Sequence, residues 1–372
     1  MKILLLGEYS NVHATLAEGL RILGHEVTVA SNGDFWKNYP RDIDWARKPG
    51  KLGGIRLMKD IFMNLPQLKG YDIVQIINPM FVELKAERNY KFYRWLRKHN
   101  GKVFMGAFGM DYYWVHENME RKPLRYSDFN IGDTLRENPD AIKERQDWIE
   151  TPKEKLNKYI ADDCNGIICG LFEYWACYHP LFPNKTCFIP FPIKPKTGIN
   201  ININKTTPVP LKLFIGINKK RNEYKGTDIM LAAAKAVSKK YPGKLNLRIA
   251  EGVPFAQYVE MMNNSDAILD QLYSYTPAMN ALEAMSRGIV CIGGGEPENY
   301  EIIGERDLRP IINVEPNYES VYKEIERLVL NPELIVGLKR QSMEYIQRHH
   351  DYIKVAEQYV SAYLQYGEDC SI

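Results

Sequence analysis

The hydrophobic pattern at the start of the chain changes period twice. Lys2 to Leu6 is a nearly continuous apolar run, as expected of a strand covered on both faces of a parallel sheet. Gly7 ends it, and Glu8-Tyr9-Ser10-Asn11 leads into a segment with Val12, Leu16, Leu20 and Leu23 at helical spacing. Gly24 closes that helix, and Val27-Thr28-Val29-Ala30 reads as the next strand, giving a β-α-β unit. The pattern continues with strands at Asp72 to Ile77 and Lys102 to Met105, with a helix from about Glu83 to Lys98 between them. Ile167-Ile168-Cys169 and Cys187-Phe188-Ile189 complete the first series. Strands that alternate with helices predict a parallel sheet with helices on both faces.

Around residue 190 the pattern breaks. Pro190, Pro192, Pro195, Pro208 and Pro210 bracket the repeat Ile199-Asn200-Ile201-Asn202-Ile203-Asn204, which reads as an interdomain linker. A second α/β series follows, with strands at Lys212 to Ile215, Leu245 to Ile249, Ala267 to Leu269 and Ile289 to Ile292. Its helices are predicted through Ala232-Ala233-Ala234 and from Pro277 to Arg287, and a last helix runs from about Tyr352 to Tyr366 with Gly367 as its stop. Residues 112–157 fit least: rich in charge and aromatics without strand alternation, they read as an insertion over the carboxyl ends of the first sheet.

Composition narrows the class. At roughly 150 residues per domain, the 372 residues correspond to two domains or three. Lys+Arg number 49 against 46 Asp+Glu, a near-balance that argues against a dedicated nucleic-acid binder. The N-terminal apolar run is too short for a signal peptide, and nothing approaches a membrane span, so a cytoplasmic protein is expected. The six cysteines lack Cys-x-x-Cys spacing and read as small buried hydrophobes, which predicts no metal site. The 24 Tyr, 13 Phe and 6 Trp stand out; composition alone does not say why.

The first turn, Gly7-Glu8-Tyr9-Ser10-Asn11-Val12, lacks the later glycines of a dinucleotide fingerprint, and Glu8 would set a carboxylate beside a pyrophosphate. No Walker loop is present. The turn after the strand ending Phe214-Ile215 is different: Gly216-Ile217-Asn218-Lys219-Lys220-Arg221-Asn222-Glu223-Tyr224-Lys225-Gly226 puts four cations between two glycines before a helix. That suits a diphosphate, whose growing charge the cations would neutralise; a solvated basic loop is the alternative. In Tyr275-Thr276-Pro277-Ala278-Met279-Asn280, Thr276 is the expected N-cap and Pro277 the first helical residue, so that the amides of Ala278 and Met279 would face an anion. Thr276, Asn280 and Glu283 share one helix face, with Glu283 placed to accept hydrogen bonds from ribose hydroxyls.

With these residues the chain resembles GT-B-fold glycosyltransferases of the large retaining group that includes family 4. The resemblance rests on Lys2 to Ala30 with Gly24-His25-Glu26-Val27, on Ile189-Pro190-Phe191-Pro192-Ile193, and on Gly216 through Lys225-Gly226. Ile249-Ala250-Glu251-Gly252, Leu282-Glu283-Ala284-Met285-Ser286-Arg287-Gly288-Ile289-Val290 and the terminal helix extend it over nearly the whole chain. It implies two Rossmann-like α/β/α domains facing each other across a cleft: 1–205 on the acceptor side, 206–350 binding the donor, and 351–372 as a helix returning to the first. It also implies a nucleotide-diphosphate sugar as co-substrate, no other cofactor, and a saccharide or lipid-linked acceptor, with surface polysaccharide synthesis as the setting.

Residue by residue, the resemblance makes Lys225 the diphosphate lysine, Glu283 the ribose glutamate and Glu251-Gly252 the cradle of the base. Gly7 joins the donor-binding set. Three positions depart from the family pattern. Ile217 replaces an arginine, leaving Lys219, Lys220 or Arg221 to substitute; Tyr275 replaces a glutamate; and Phe108 replaces the histidine of a His-Gly-x-Asp pattern, leaving Asp111 as the polar group near the transferred sugar. His13 either faces the cleft and contacts donor or acceptor, or serves the helix end. His25 reads as structural; His116 could supply what position 108 lacks. Tyr113 and Trp114 are expected on the acceptor side, stacking on sugar rings. The helix from Glu83 to Lys98 mixes six cations with Tyr90, Phe92, Tyr93 and Trp95; it either docks on an anionic membrane or packs its aromatics on the sheet. The alternatives to a transferase are a nucleotide-sugar epimerase on the same scaffold and a non-catalytic sugar-nucleotide binder.

Overall fold

In the computed structural model the described residues are 1–196, 198, 210–218 and 222–366. They form two compact α/β units: Met1–Pro123, Lys143–Pro192 and Tyr352–Ile372 make the first, and Leu124–Ile142 and Ile193–Asp351 the second. Along the chain, β1 (Lys2–Leu6), β2 (Glu26–Ser31), β3 (Ile43–Asp44), β4 (Ile73–Ile76) and β5 (Lys102–Ala107) belong to the first unit. The short hairpin of β6 (Asn130–Ile131) and β7 (Thr134–Leu135) belongs to the second, and β8 (Gly166–Cys169) and β9 (Thr186–Phe188) return to the first. The second sheet is built from β10 (Leu211–Ile217), β11 (Leu245–Glu251), β12 (Ala267–Leu269), β13 (Val290–Gly293) and β14 (Ile312–Asn313).

The first sheet runs β3-β2-β1-β4-β5-β8-β9 and the second β11-β10-β12-β13-β14, every pairing in both being parallel. Doubly wound strand orders of this kind put a topological switch beside the first strand of each series. Ile3, Leu4, Leu5 and Leu6 are wholly buried, as their unbroken apolar run requires. In the second unit β10 and β12 are packed by Met230, Ala233, Ala234 and Val237 of the helix Thr227–Lys240.

The terminal helix Tyr352–Gln365 packs in the first unit, as expected. Gly19 permits this: a Cβ there would lie 2.4 Å from Tyr352 O and 2.9 Å from the Ala356 Cβ. Tyr363 donates to Gln75 Oε1 at 2.5 Å, and the Lys102 ammonium meets the carbonyls of Tyr363 and Leu364 at the helix end. The tyrosine excess also finds its place. Tyr93, Tyr178, Tyr275, Tyr345, Tyr359 and Tyr363 are among the largest fully buried side chains, combining an apolar ring with a hydroxyl that can meet a partner.

Three expectations change. The 205/206 boundary and the Ile199–Asn204 repeat lie outside the described residues, as do Gly367 and Cys370; the units divide between Pro192 and Ile193. Residues 112–157 are not one insertion on the first domain. The helices Tyr112–Met119 and Pro152–Asp163 pack in the first unit, whereas Leu124–Ile142 folds with the second. Finally, the pattern gave no sign of the helix Gly53–Asn64.

Candidate functional site

The carboxyl edge of the second sheet gathers most of the expected donor-binding residues. The register pairs Ile217 with Glu251 and Ile215 with Leu269, so the turns after β10, β11 and β12 leave from one edge. The turn after β10 enters the short helix Asn222–Lys225; Lys219, Lys220 and Arg221 within it lie outside the described residues. Gly226 follows at φ 69°, where a Cβ would run to 2.6 Å from the Leu272 Cβ, so the turn needs glycine. Leu272 N–H donates to Lys225 O at 3.0 Å, tying this turn to the exit of β12.

That exit carries Asp270, which sequence reasoning missed. Burial raises its carboxyl above the ordinary range, against the lowering pull of Lys225 and Asn280. Asn280 Nδ2 donates to Asp270 Oδ1 at 3.2 Å, and Tyr258 OH donates to Asn280 Oδ1 at 3.0 Å. The Tyr258 ring lies over Gly216, where a Cβ would come within 2.6 Å of it, and packs edge-to-face on Phe214 at 5.1 Å. Glu251 and Gly252 stand exposed at the end of β11, with Gly252 at φ 63°. Glu283 is half-buried and ion-paired with Arg287 at 2.8 Å and Lys196 at 3.4 Å. A lysine, an amide and carboxylates of different burial therefore share the rim of one parallel sheet. Such a rim can neutralise phosphates and accept hydroxyl protons.

The helix start differs from expectation. Thr276 does not cap it: the residue is buried, and its carbonyl accepts from Ser274 Oγ at 2.6 Å. The helix runs Met279–Met285 with Ala278 in the cap position, so Pro277 precedes it and only Met279 keeps a place in the first turn. Tyr275 is not positioned to hold a sugar hydroxyl either. It is buried; its hydroxyl accepts from Arg125 N–H at 2.7 Å, and Tyr126 packs on its ring at 4.8 Å. The Leu124–Ile142 segment thus uses the position a glutamate would hold. Below it, buried Glu296 accepts from Arg125 Nη2 at 2.6 Å, Tyr126 OH at 2.5 Å and Asn313 Nδ2 at 3.0 Å. Arg136 donates to Glu223 O at 2.8 Å and Tyr224 O at 3.2 Å and stacks 3.5 Å from the Tyr273 ring, bracing the helix that ends in Lys225. Arg136 lies 87 residues from Glu223, beyond the reach of any local sequence signal.

The first unit treats its corresponding edge differently. Gly7, at φ 84°, is forced by Ile77, whose Cγ2 a Cβ would approach to 2.3 Å. Glu8 is buried at the N-terminus of the helix Val12–Ile22, accepting from Ala14 N at 2.8 Å and His13 N at 3.4 Å. Burial pushes its carboxyl up to about 8. The helix amides that would meet a phosphate are taken by the chain's own side chain. His13 is wholly buried and does not face a cleft. Its Nδ1 contacts Gly7 O at 2.9 Å and its Nε2 contacts Gln75 Nε2 at 3.1 Å; burial pushes the imidazole down to about 3, so it is neutral. With Tyr363 on Gln75, a buried relay runs from the terminal helix to the first turn.

Asp111 is likewise an interior group. Its Oδ1 caps the helix Tyr112–Met119 by accepting from Trp114 N at 2.8 Å, and its Oδ2 accepts from Tyr178 OH at 2.8 Å. Burial raises this carboxyl to about 7. Tyr113 and Trp114 are buried too, Tyr113 against Tyr178 at 4.8 Å and Trp114 against Tyr174 at 5.2 Å; they pack the core and are not sugar platforms. His116 stacks on Tyr112 at 5.0 Å and contacts Glu117 at 3.0 Å. The helix expected from Glu83 to Lys98 spans Ala86–His99 and buries Phe92, Tyr93 and Leu96, the packing alternative.

No protein-family model matches the chain, and no curated protein matches it by sequence. Solved structures do match over nearly its whole length. Sucrose-phosphate synthase from Thermosynechococcus elongatus is 14% identical at a TM-score of 0.63, covering 98% of each chain. Anabaena HepE, solved in complex with UDP and glucose, is 12% identical at a TM-score of 0.59, covering 97% of this chain and 98% of that one. The UDP-GlcNAc 2-epimerase of Neisseria meningitidis, bound to UDP-GlcNAc, is 12% identical at a TM-score of 0.53, covering 98% of this chain and 100% of its own. The chain therefore has the GT-B fold, in agreement with the resemblance read from its motifs.

Proposed function

We propose that the protein is a retaining glycosyltransferase that moves a sugar from a nucleotide-diphosphate sugar to a saccharide or lipid-linked acceptor. The observation that carries this reading is the rim of the second sheet, where Lys225 sits on a glycine-terminated turn locked to β12 by Leu272 N–H, with Asn280 and Glu283 on the neighbouring helix. Lys225 and Arg221 hold the diphosphate, with Lys219 and Lys220 beside them. Each charge-assisted hydrogen bond is worth roughly 1.5–3 kcal/mol and strengthens as negative charge develops on the departing group. Glu283 accepts the ribose hydroxyls, and the backbone at Glu251-Gly252 cradles the base.

In the proposed step the bond from the anomeric carbon to the diphosphate oxygen breaks, and the acceptor hydroxyl oxygen bonds to that carbon from the same face. The hydroxyl proton passes to the departing phosphate oxygen. No side-chain nucleophile is required, and Asp111 takes no part. We assign no cofactor beyond the sugar donor and no metal. Surface polysaccharide synthesis at the cytoplasmic side of a membrane is the proposed setting.

The test is incubation with UDP- and GDP-sugars, with and without saccharide acceptors, following free nucleotide and the anomeric configuration of the product. Acceptor-dependent nucleotide release that survives chelation of metals, with retained configuration, is expected. A second reading, epimerisation of the nucleotide sugar, draws on the whole-length match to a 2-epimerase. It is marked by an epimerised sugar formed without acceptor. Tight binding with neither outcome would make the chain a sugar-nucleotide binder.

A further inference from the structure

Among the described residues the exposed large hydrophobic side chains are unevenly spread: seven of fifteen lie between residues 35 and 63. Isolated apolar side chains on a surface are ordinary, but a cluster calls for a partner. The helix Gly53–Asn64 buries Gly53, Leu57 and Ile61, one stripe at helical spacing. Its opposite side should be polar if it faced only water. Instead Ile55 is 60% exposed, Phe62 72% and Met63 64%, with Met58 and Leu52 beside them. Trp36, 66% exposed, lies next to Phe35, which lines the same cavity of about 170 Å³ as Leu57; the turn Phe35–Lys37 and this helix are therefore neighbours.

The charge on and just before this helix is mainly positive. Arg47, Lys48, Lys51, Arg56 and Lys59 are all exposed, and Asp60 is the only acidic residue between 46 and 64. A symmetric contact with a second copy would set these cations against their equivalents, which disfavours a dimer. Apolar side chains ringed by cations match a surface of acyl chains under anionic headgroups.

We propose that this face of the first unit docks on an anionic lipid bilayer, with Trp36, Ile55 and Phe62 entering the headgroup–acyl boundary and Lys51, Arg56 and Lys59 on the phosphates. The surface is distinct from the helix Ala86–His99, which buries Phe92 and Tyr93 and leaves Tyr90 and Trp95 partly covered. The inference goes beyond the transferase reading and does not depend on it. The experiment is sedimentation of the full chain with vesicles of phosphatidylcholine alone or of equal parts phosphatidylcholine and phosphatidylglycerol. Capture is expected on the anionic vesicles, weakening as salt is raised. The triple variant Lys51→Glu, Arg56→Glu, Lys59→Glu should weaken it at least ~10-fold, and Ile55→Ser with Phe62→Ser should do the same through lost apolar insertion, at about 10-fold. Both change only exposed side chains, and unchanged thermal melting confirms that they fold. Equal capture on neutral vesicles, or wild-type capture by both variants, overturns the proposal. So does a dimer that Phe62→Ser dissolves in a chain that binds no vesicles. Sedimentation is read without turnover, so failed docking leaves the transferase reading intact, and absent turnover leaves docking intact.

Discussion

The first βα turns of the two units occupy equivalent places in doubly wound sheets but are chemically opposite. In the first unit Gly7 is followed by Glu8, whose buried carboxyl takes the amides of His13 and Ala14. In the second, β10 carries Gly216 and ends at Ile217, and the chain then runs to Lys225-Gly226 with Lys219, Lys220 and Arg221 in the intervening sequence. A helix N-terminus binds an anion only when its amides are free. One unit has filled that place with its own side chain; the other carries a run of cations in the sequence leading to its helix. Shared topology therefore does not mean shared ligand chemistry.

The largest expected effect tests whether the first unit's edge is packed core. Trp114→Ala should cost about 3–5 kcal/mol of stability, read from urea unfolding; a stable variant with impaired acceptor use would restore the acceptor role. Next, Lys225→Ala should weaken binding of UDP or GDP by roughly 1.5–3 kcal/mol in a calorimetric titration, whereas Glu8→Gln should leave it unchanged. Unaltered nucleotide affinity in Lys225→Ala would remove the asymmetry between the two turns.

Asp111→Ala removes a helix cap and should destabilise by about 1–2 kcal/mol with nucleotide binding intact. A fully stable variant without turnover would return Asp111 to the chemistry. The smallest effect is in pH. Glu8 holds its proton to about 8 in the fold but releases it near 4.5 when unfolded, so the unfolded state binds fewer protons in between and stability falls as pH rises through that window. Asp111 acts in the same direction but only up to about 7, and buried neutral His13 acts oppositely, between about 3 and 6.5. From pH 7 to 8 the loss therefore belongs to Glu8, at about 1 kcal/mol. Glu8→Gln should flatten the melting temperature over that interval; an unchanged slope would show that Glu8 is not the group responsible.

Much of the fold was legible. Strands such as Ile73–Ile76 and Ala267–Leu269 are short, mostly apolar runs between turn residues, and their length favours a strand over a buried helix. The helix Gly53–Asn64 was not, because Ile55, Leu57, Met58, Ile61, Phe62 and Met63 place apolar groups on two sides and blur the periodicity. Of the candidate site, the Gly216 to Gly226 turn and Glu283 stood out by residue type, while Asp270, Arg136 and Glu296 did not. Their partners lie far away in sequence, as with Arg125 and Glu296, 171 residues apart.

The sequence by itself determined the two parallel sheets, the succession of most of their strands and helices along the chain, and the concentration of cations in one stretch. These follow from local periodicity and residue type, which act over a few residues. The tertiary structure decided which polar groups are available. Asp111, His13 and Tyr275 look reactive as letters, yet each is buried with its hydrogen bonds made inside the protein. Burial depends on what the rest of the chain lays over a residue, and only the folded chain fixes that.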